Sequence, residues 1–240
     1  MRILSMYWNN VDREFVRLQR EVFAKLGYVI EQQERTGMAH GLWLDAMLEA
    51  AAPDDILLIV DIDCIALNAG IVERARLAAQ EGRLFGCAQV ANYLQDRSVY
   101  AAPMFMSISK ATWERMGRPS AQSDAQQDVA QSLSRVAREH GIAIELLQPT
   151  ASLIPMWQLD GERLFGIGTF YEGGVMHLFQ SRHDRYTPLF RAICQDVLDG
   201  RYQGPHRYLE LAQRLELRAG LRRAWKAFWR FKWLKRPSAP

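Results

Sequence analysis

Two aspartates separated by one isoleucine, Asp61-Ile62-Asp63, follow directly on the unbroken apolar run Ile56-Leu57-Leu58-Ile59-Val60. A run of this length, rich in branched residues and preceded by Ala-Pro-Asp-Asp, reads as a strand covered on both faces. The carboxylates then stand where the strand reaches the open edge of a sheet, the place where open α/β folds bind ligands. Adjacent carboxylates repel and raise each other's pKa unless a cation lies between them, so the pair points to a divalent ion, magnesium or manganese. The plain alternative is a strand end followed by a polar turn.

His177 is the best candidate for a third ligand. It sits in Glu172-Gly-Gly-Val-Met-His177-Leu-Phe-Gln, where apolar residues surround one imidazole and two glycines allow backbone to approach a ligand closely. A hydrogen-bonded core histidine is the competing reading. Arg182, His183 and Arg185 follow and could meet phosphate oxygens through charge-assisted bonds, or form a solvated loop.

The spacing Asp61-x-Asp63 resembles the first motif of the haloacid-dehalogenase-like phosphatases, with Asp61 as nucleophile and Asp63 as general acid and base. Ile65 stands where that motif carries threonine, and two β-α units precede the strand where those enzymes place none. The order of features more closely resembles the nucleotide-sugar-dependent glycosyltransferases of the GT-A fold. That order runs from an early strand through the Asp-x-Asp motif, a strand at Met104 to Ser107 and an acidic helix start to a late histidine. The resemblance spans roughly residues 1 to 190.

It implies that Asp61, Asp63 and His177 hold Mn2+ or Mg2+ against the two phosphates of the donor, with a UDP-sugar favoured. It places the nucleoside against Tyr7, Trp8 and Asn9, and the diphosphate near His40, Asp61 and Arg182. It makes Asp124 or Asp128 the carboxylate that takes the acceptor's proton if the anomeric carbon is inverted. Asp124 and Asp128 are expected at the start and one turn along a helix capped by Ser123 or Asp124. The competing readings are a phosphatase or nucleotidyltransferase using the same carboxylates, and a non-catalytic membrane-attached scaffold.

Positioning these groups requires a mainly parallel α/β sheet with covering helices. Residues 2–8 read as a strand, and 12–26 as a helix with Phe15, Val16, Leu18, Val22, Phe23 and Leu26 inward, ended by Gly27. A strand at 28–30, a helix at 42–51 and the strand at 56–60 complete β-α-β-α-β, the pattern of a parallel sheet. Further on, the sequence predicts a helix at 71–80, strands at 84–90 and 99–109, and a short helical turn at 112–116. A helix then ends at His140, followed by a strand at 142–147, loop or irregular strand at 161–174, and a helix at 190–198. The expected division is a catalytic domain over residues 1–200 and an extension over 201–240.

The 240 residues are 49% hydrophobic and 24% charged, which suits a packed core rather than long disorder. Cys64, Cys87 and Cys194 stand apart from one another at no zinc-ligand spacing, as expected of buried thiols in a reducing compartment. Polar residues soon after Met1 leave no room for a signal-peptide core, so a cytoplasmic location is expected.

Residues 218–236 carry eight Lys and Arg and no acid, so against a whole-chain charge of +3 the remainder carries −5. Leu217, Leu221, Ala224, Trp225, Phe228 and Phe231 share one side of a helical wheel, and Arg222, Arg223, Lys226 and Arg230 the other. Such a basic, tryptophan-bearing amphipathic helix suits an anionic membrane surface on the cytoplasmic face, the competing readings being a helix packed back on the catalytic domain, a protein-partner helix or RNA binding. Its aromatic content exceeds what binding a nucleic-acid backbone needs. A lipid-linked sugar or cell-envelope glycan would be a fitting acceptor.

Overall fold

The computed structural model describes residues 1–179, 181 and 184–217, apart from the side chain of Asp184. Arg182, His183 and the expected basic helix from 218 onward lie outside the described residues.

The chain opens with β1 (Arg2–Tyr7), α1 (Arg13–Lys25), β2 (Ile30–Glu34), α2 (His40–Ala50) and β3 (Ile56–Val60). The Asp12 carboxylate accepts the Glu14 N–H at the start of α1, and Phe15, Val16, Leu18, Val22 and Phe23 bury one face of that helix. Next come β4 (Cys64–Ala66), α3 (Ala69–Gln80), β5 (Leu84–Gln89), β6 (Tyr100–Ser109) and α4 (Lys110–Arg115). The remainder is α5 (Gln131–Glu139), β7 (Ile144–Leu147), β8 (Pro149–Gln158), β9 (Leu164–Tyr171), β10 (Val175–His177) and α6 (Thr187–Leu198).

Six strands form one sheet in the order β2-β1-β3-β6-β5-β7. Only β6 runs antiparallel to its neighbours. No helix intervenes between β5 and β6 to carry the chain back to the other end of the sheet, so the pair must reverse direction. A second, antiparallel sheet has the order β4-β10-β9-β8. The architecture is therefore mixed rather than mainly parallel.

The glycine-rich stretch expected as loop or irregular strand contains the irregular strand β9, in which Gly168 takes φ +64° and the register with β8 shifts. Burial of β3 between β1 and β6 explains why its five residues are all apolar.

Helices cover both faces of the large sheet. On one face Ile71, Val72, Ala75 and Ala78 of α3 belong to a core with Leu58, Val60, Phe85 and Phe105. On the other, Trp43, Leu44 and Leu48 of α2 and Leu133 and Ala137 of α5 pack with Leu57, Ile59 and Met106. A third core joins α1 and α6 to the small sheet, with the Phe15 and Phe190 rings 4.6 Å apart.

Two glycines are required by close approach. A Cβ at Gly41, in the first turn of α2, would lie 2.5 Å from Gln122 Cα and 2.6 Å from Ala121 O. Gly174 has φ +103°, and a Cβ there would lie 2.2 Å from Asn68 Nδ2. Asn68 both caps α3, accepting the Ile71 N–H, and donates to Gly173 O at 2.9 Å. It thereby ties the segment after the aspartates to the turn before His177.

Candidate active site

Asp61 and Asp63 fall in the turn between β3 and β4, closed by the Cys64 N–H on Asp61 O at 2.9 Å. On entry to the turn, the Asp61 N–H donates to Met104 O of β6 at 3.0 Å. β4 pairs with β10 so that Cys64 lies opposite His177. Register alone thus carries a histidine 114 residues downstream to the aspartates.

His177 Nε2 lies 3.2 Å from Asp63 Oδ1 and 3.8 Å from Asp61 Oδ2. Asp63 is held further by the Ser181 N–H on Oδ2 at 3.1 Å, while its carbonyl accepts the Leu178 N–H at 2.9 Å. Phe179, with φ +62°, turns the backbone between those two donors, and its ring stands 4.0 Å from the His177 ring. His40, at the start of α2, places Nε2 3.7 Å from Asp61 Oδ1.

The two carboxylates differ in environment. Asp61 keeps about 30% of its side-chain surface open. Desolvation by the surrounding protein still pushes its pKa up, opposed by His40 and His177 and reinforced by Asp63 and Asp128. Asp63 is 5% exposed. Burial would raise its pKa too, but the charge and hydrogen bond of His177 and the N–H groups of Asp63 itself and Ser181 outweigh burial and hold it below the ordinary value.

The residues fit a divalent cation. One ligand atom from each of Asp61, Asp63 and His177 lies within 4.8 Å of the other two, about what groups sharing one ion require. The donor set is two hard carboxylates and one imidazole, the chemistry magnesium or manganese accepts. His177 Nδ1 is buried with no partner among the described residues, so the ring's polar capacity is directed at the aspartates through Nε2.

Two cavities meet at this cluster. The smaller, about 150 Å³, is lined by Met6, Tyr7, Trp8, Val11 and Ile62; the larger, about 440 Å³, by Gln89, Tyr100, Pro103, Met104, Asp128, Val129 and Phe179. His40, Asp61, Asp63 and Ser181 line both.

Tyr7, Trp8 and His40 therefore share the site with the metal cluster. Asn9 is exposed, its N–H donates to Thr36 Oγ1 at 2.9 Å, and it lines neither cavity.

The expected acidic helix start is corrected. Residues 120–130 are not helical, and α5 begins only at Gln131, after Ala130 with φ +63°. Asp124 is exposed and closes a local turn by accepting the N–H groups of Gln126 and Gln127, so the capping signal was real but served a loop. Asp124 does not line the larger cavity, whereas Asp128 does. The Asp128 carboxylate accepts the hydroxyls of Tyr93 and Tyr100, each at 2.8 Å, and the Val129 N–H at 2.8 Å.

Sequence reading missed Tyr93 and Tyr100, which lie 28 or more residues from Asp128 and carry no local signal. It also missed Gln19 of α1, whose amide donates to Asp61 O at 2.7 Å and Cys64 O at 2.9 Å. There a signal existed, since Gln19 interrupts the apolar face of its helix.

No protein-family model matches the chain, and no curated protein matches it in sequence. Among solved structures, the catalytic domain of Drosophila beta1,4-galactosyltransferase 7 in complex with xylobiose is similar with TM-score 0.44 and 10% identity, covering 78% of this chain and 73% of that one. The galactosyltransferase LgtC, in complex with donor and acceptor sugar analogs, gives TM-score 0.49 and 10% identity over 87% of this chain and 99% of that one. The 2-C-methyl-D-erythritol 4-phosphate cytidylyltransferase of Thermus thermophilus gives 0.34 and 14% over 63% and 89%. Likenesses at these scores bear on neither substrate nor chemistry.

The topology itself is informative. Two β-α units lead to an apolar strand ending in Asp-x-Asp, and a late histidine returns to the aspartates on a second sheet. The fold is a mixed α/β sheet with covering helices, joined to a second, antiparallel sheet. Its candidate metal triad stands at the centre of the cleft.

Proposed function

We propose that the protein is a divalent-metal-dependent glycosyltransferase that moves a sugar from a nucleoside diphosphate sugar to a hydroxyl of a glycan or lipid-linked acceptor. The observation that carries this reading is the position of Asp61, Asp63 and His177 where two cavities of different character meet.

The smaller cavity offers Tyr7 and Trp8 as stacking surfaces for a nucleobase, and His40 faces the route of the diphosphate. The larger cavity combines apolar Pro103, Met104, Val129 and Phe179 with the polar groups of Gln89, Tyr100 and Asp128, a lining suited to sugar rings and their hydroxyls. A cation held by Asp61, Asp63 and His177 would stabilise the charge that develops on the departing nucleoside diphosphate. Asp128, oriented by Tyr93 and Tyr100, is the group placed to accept a hydrogen bond or proton from an acceptor hydroxyl. Arg182 is assigned to the donor phosphates on its sequence position alone.

The basic amphipathic sequence at 217–236 supports action at an anionic membrane surface, with the inner face of the cytoplasmic membrane as its place. Among the described residues no helix is long and apolar enough to cross a membrane.

The reaction is tested by incubating the protein and manganese with UDP- and GDP-sugars or with a small phosphate monoester. Release of a nucleoside diphosphate, without phosphate from the monoester, is the expected result. Monoester cleavage lost on Asp61→Asn would instead favour phosphatase chemistry.

A further inference from the structure

Gln19 lies in the middle of α1, fully buried, on the helix face it shares with Phe15, Val22 and Phe23. A buried primary amide must find partners for two donor hydrogens and an acceptor oxygen. Here all are filled. Nε2 donates to Asp61 O at 2.7 Å and Cys64 O at 2.9 Å, and Oε1 accepts from Gln32 Nε2 at 3.0 Å. Gln32 gives its other hydrogen to Val16 O at 2.9 Å and accepts from Arg20 Nε at 3.0 Å.

Direction in this relay is set from outside. Arginine can only donate, so Gln32 presents its oxygen to Arg20 and its nitrogen to Gln19; Gln19 must then present its own nitrogen to the two carbonyls. Those carbonyls belong to the first and last residues of the turn that contains Asp61, Ile62 and Asp63. One side chain therefore clamps both ends of that turn onto a helix. The helix face does not demand a polar group here, since Met would fill a similar volume among the same apolar neighbours.

We propose that Gln19 is a positioning residue for the metal site, holding the Asp61–Cys64 turn closed so that the two aspartates keep their separation against mutual repulsion. The proposal rests on reading Asp61, Asp63 and His177 as a divalent cation site. Gln19 touches neither substrate nor ion; it acts through the backbone of the turn.

The test is Mn2+ binding to the full-length protein, followed by the electron paramagnetic resonance signal of the free ion, for wild type, Gln19→Met, Gln32→Met and Cys194→Ala. Cys194 is buried on α6 in the core shared with α1, so its variant reports a general softening of that core. Gln19→Met is expected to weaken Mn2+ binding on the order of 10-fold or more. Gln32→Met should give a smaller loss, and Cys194→Ala no change. Wild-type affinity in Gln19→Met would overturn the proposal, as would an equal loss in Cys194→Ala. Should Gln19→Met fail to fold, Gln32→Met decides, with unchanged affinity counting against the proposal. Absence of Mn2+ binding in the wild type would remove the metal reading itself, a failure distinct from that of the clamp.

Discussion

At the residue scale the two aspartates divide their work. Asp63 is buried, bonded to His177 and to backbone N–H groups, and stays charged. Asp61 faces the cleft, and the surrounding protein holds its proton to higher pH than an ordinary aspartate does. Cation binding requires the charged form, so ion uptake must displace that proton. On the acid side of neutrality Mn2+ binding should release protons, and affinity should rise with pH as Asp61 titrates above the ordinary aspartate range. Calorimetry in buffers of different ionisation enthalpy measures the release; equal heats in all buffers would contradict it. Tyr100 belongs to the same scale. Tyr100→Phe removes one hydroxyl from Asp128 and should cost about 1 kcal/mol of stability, read from urea unfolding, while leaving Mn2+ affinity unchanged. The aspartates were legible because their spacing and the apolar run before them are local. Asp128 was legible as an acid of potential importance, and it lines the larger cavity, but its tyrosine partners were not legible, because only the tertiary fold brings them together.

At the element scale, the site depends on where three short segments are pinned. The β4–β10 register delivers His177, α1 carries the amide that meets the turn, and the first turn of α2 sets His40 against Asp61. α2 can approach the 120–122 segment only because Gly41 has no side chain. Gly41→Ala meets backbone atoms on every near side, so it should destabilise by about 1–3 kcal/mol and also weaken nucleotide binding by moving His40. Urea unfolding and a binding titration check the two effects. Periodicity made β1, α1, β3 and α3 readable to within a few residues. It failed between Ser120 and Ala130, where Asp124 carries the hydrogen-bonding habit of a helix cap while the chain forms turns anchored by Asp45, which accepts the Ala121 N–H. It also left β8 unassigned and β9 undecided, since strands of the small sheet take their order from pairing partners rather than from local pattern.

At the scale of the whole molecule, a cleft between two sheets is joined to a segment whose charge opposes that of the rest of the chain. The −5 of the remainder and the +8 of residues 218–236 give the sequence two stretches of opposite net charge. Reversing charge at Arg222, Arg223, Lys226 and Arg230 in the full-length protein should abolish co-sedimentation with anionic vesicles and leave nucleotide binding intact. Neutral vesicles should bind neither form strongly, and added salt should weaken the wild-type interaction. The mixed sheet was only partly legible at this scale, because strand direction depends on connections rather than on strand composition: β6 reads like any buried strand, and only the absence of a crossover helix reverses it.

The central claim is that Asp61, Asp63 and His177 hold a cation against a nucleoside diphosphate in this cleft. Calorimetric titration of UDP and of GDP into the full-length protein, with manganese or with EDTA, tests it most directly beside an Asp61→Ala, Asp63→Ala double variant. One nucleotide should bind with manganese, fail to bind in EDTA, and fail to bind the double variant. Binding that ignores both EDTA and the double substitution, or no binding of either nucleotide, would contradict it.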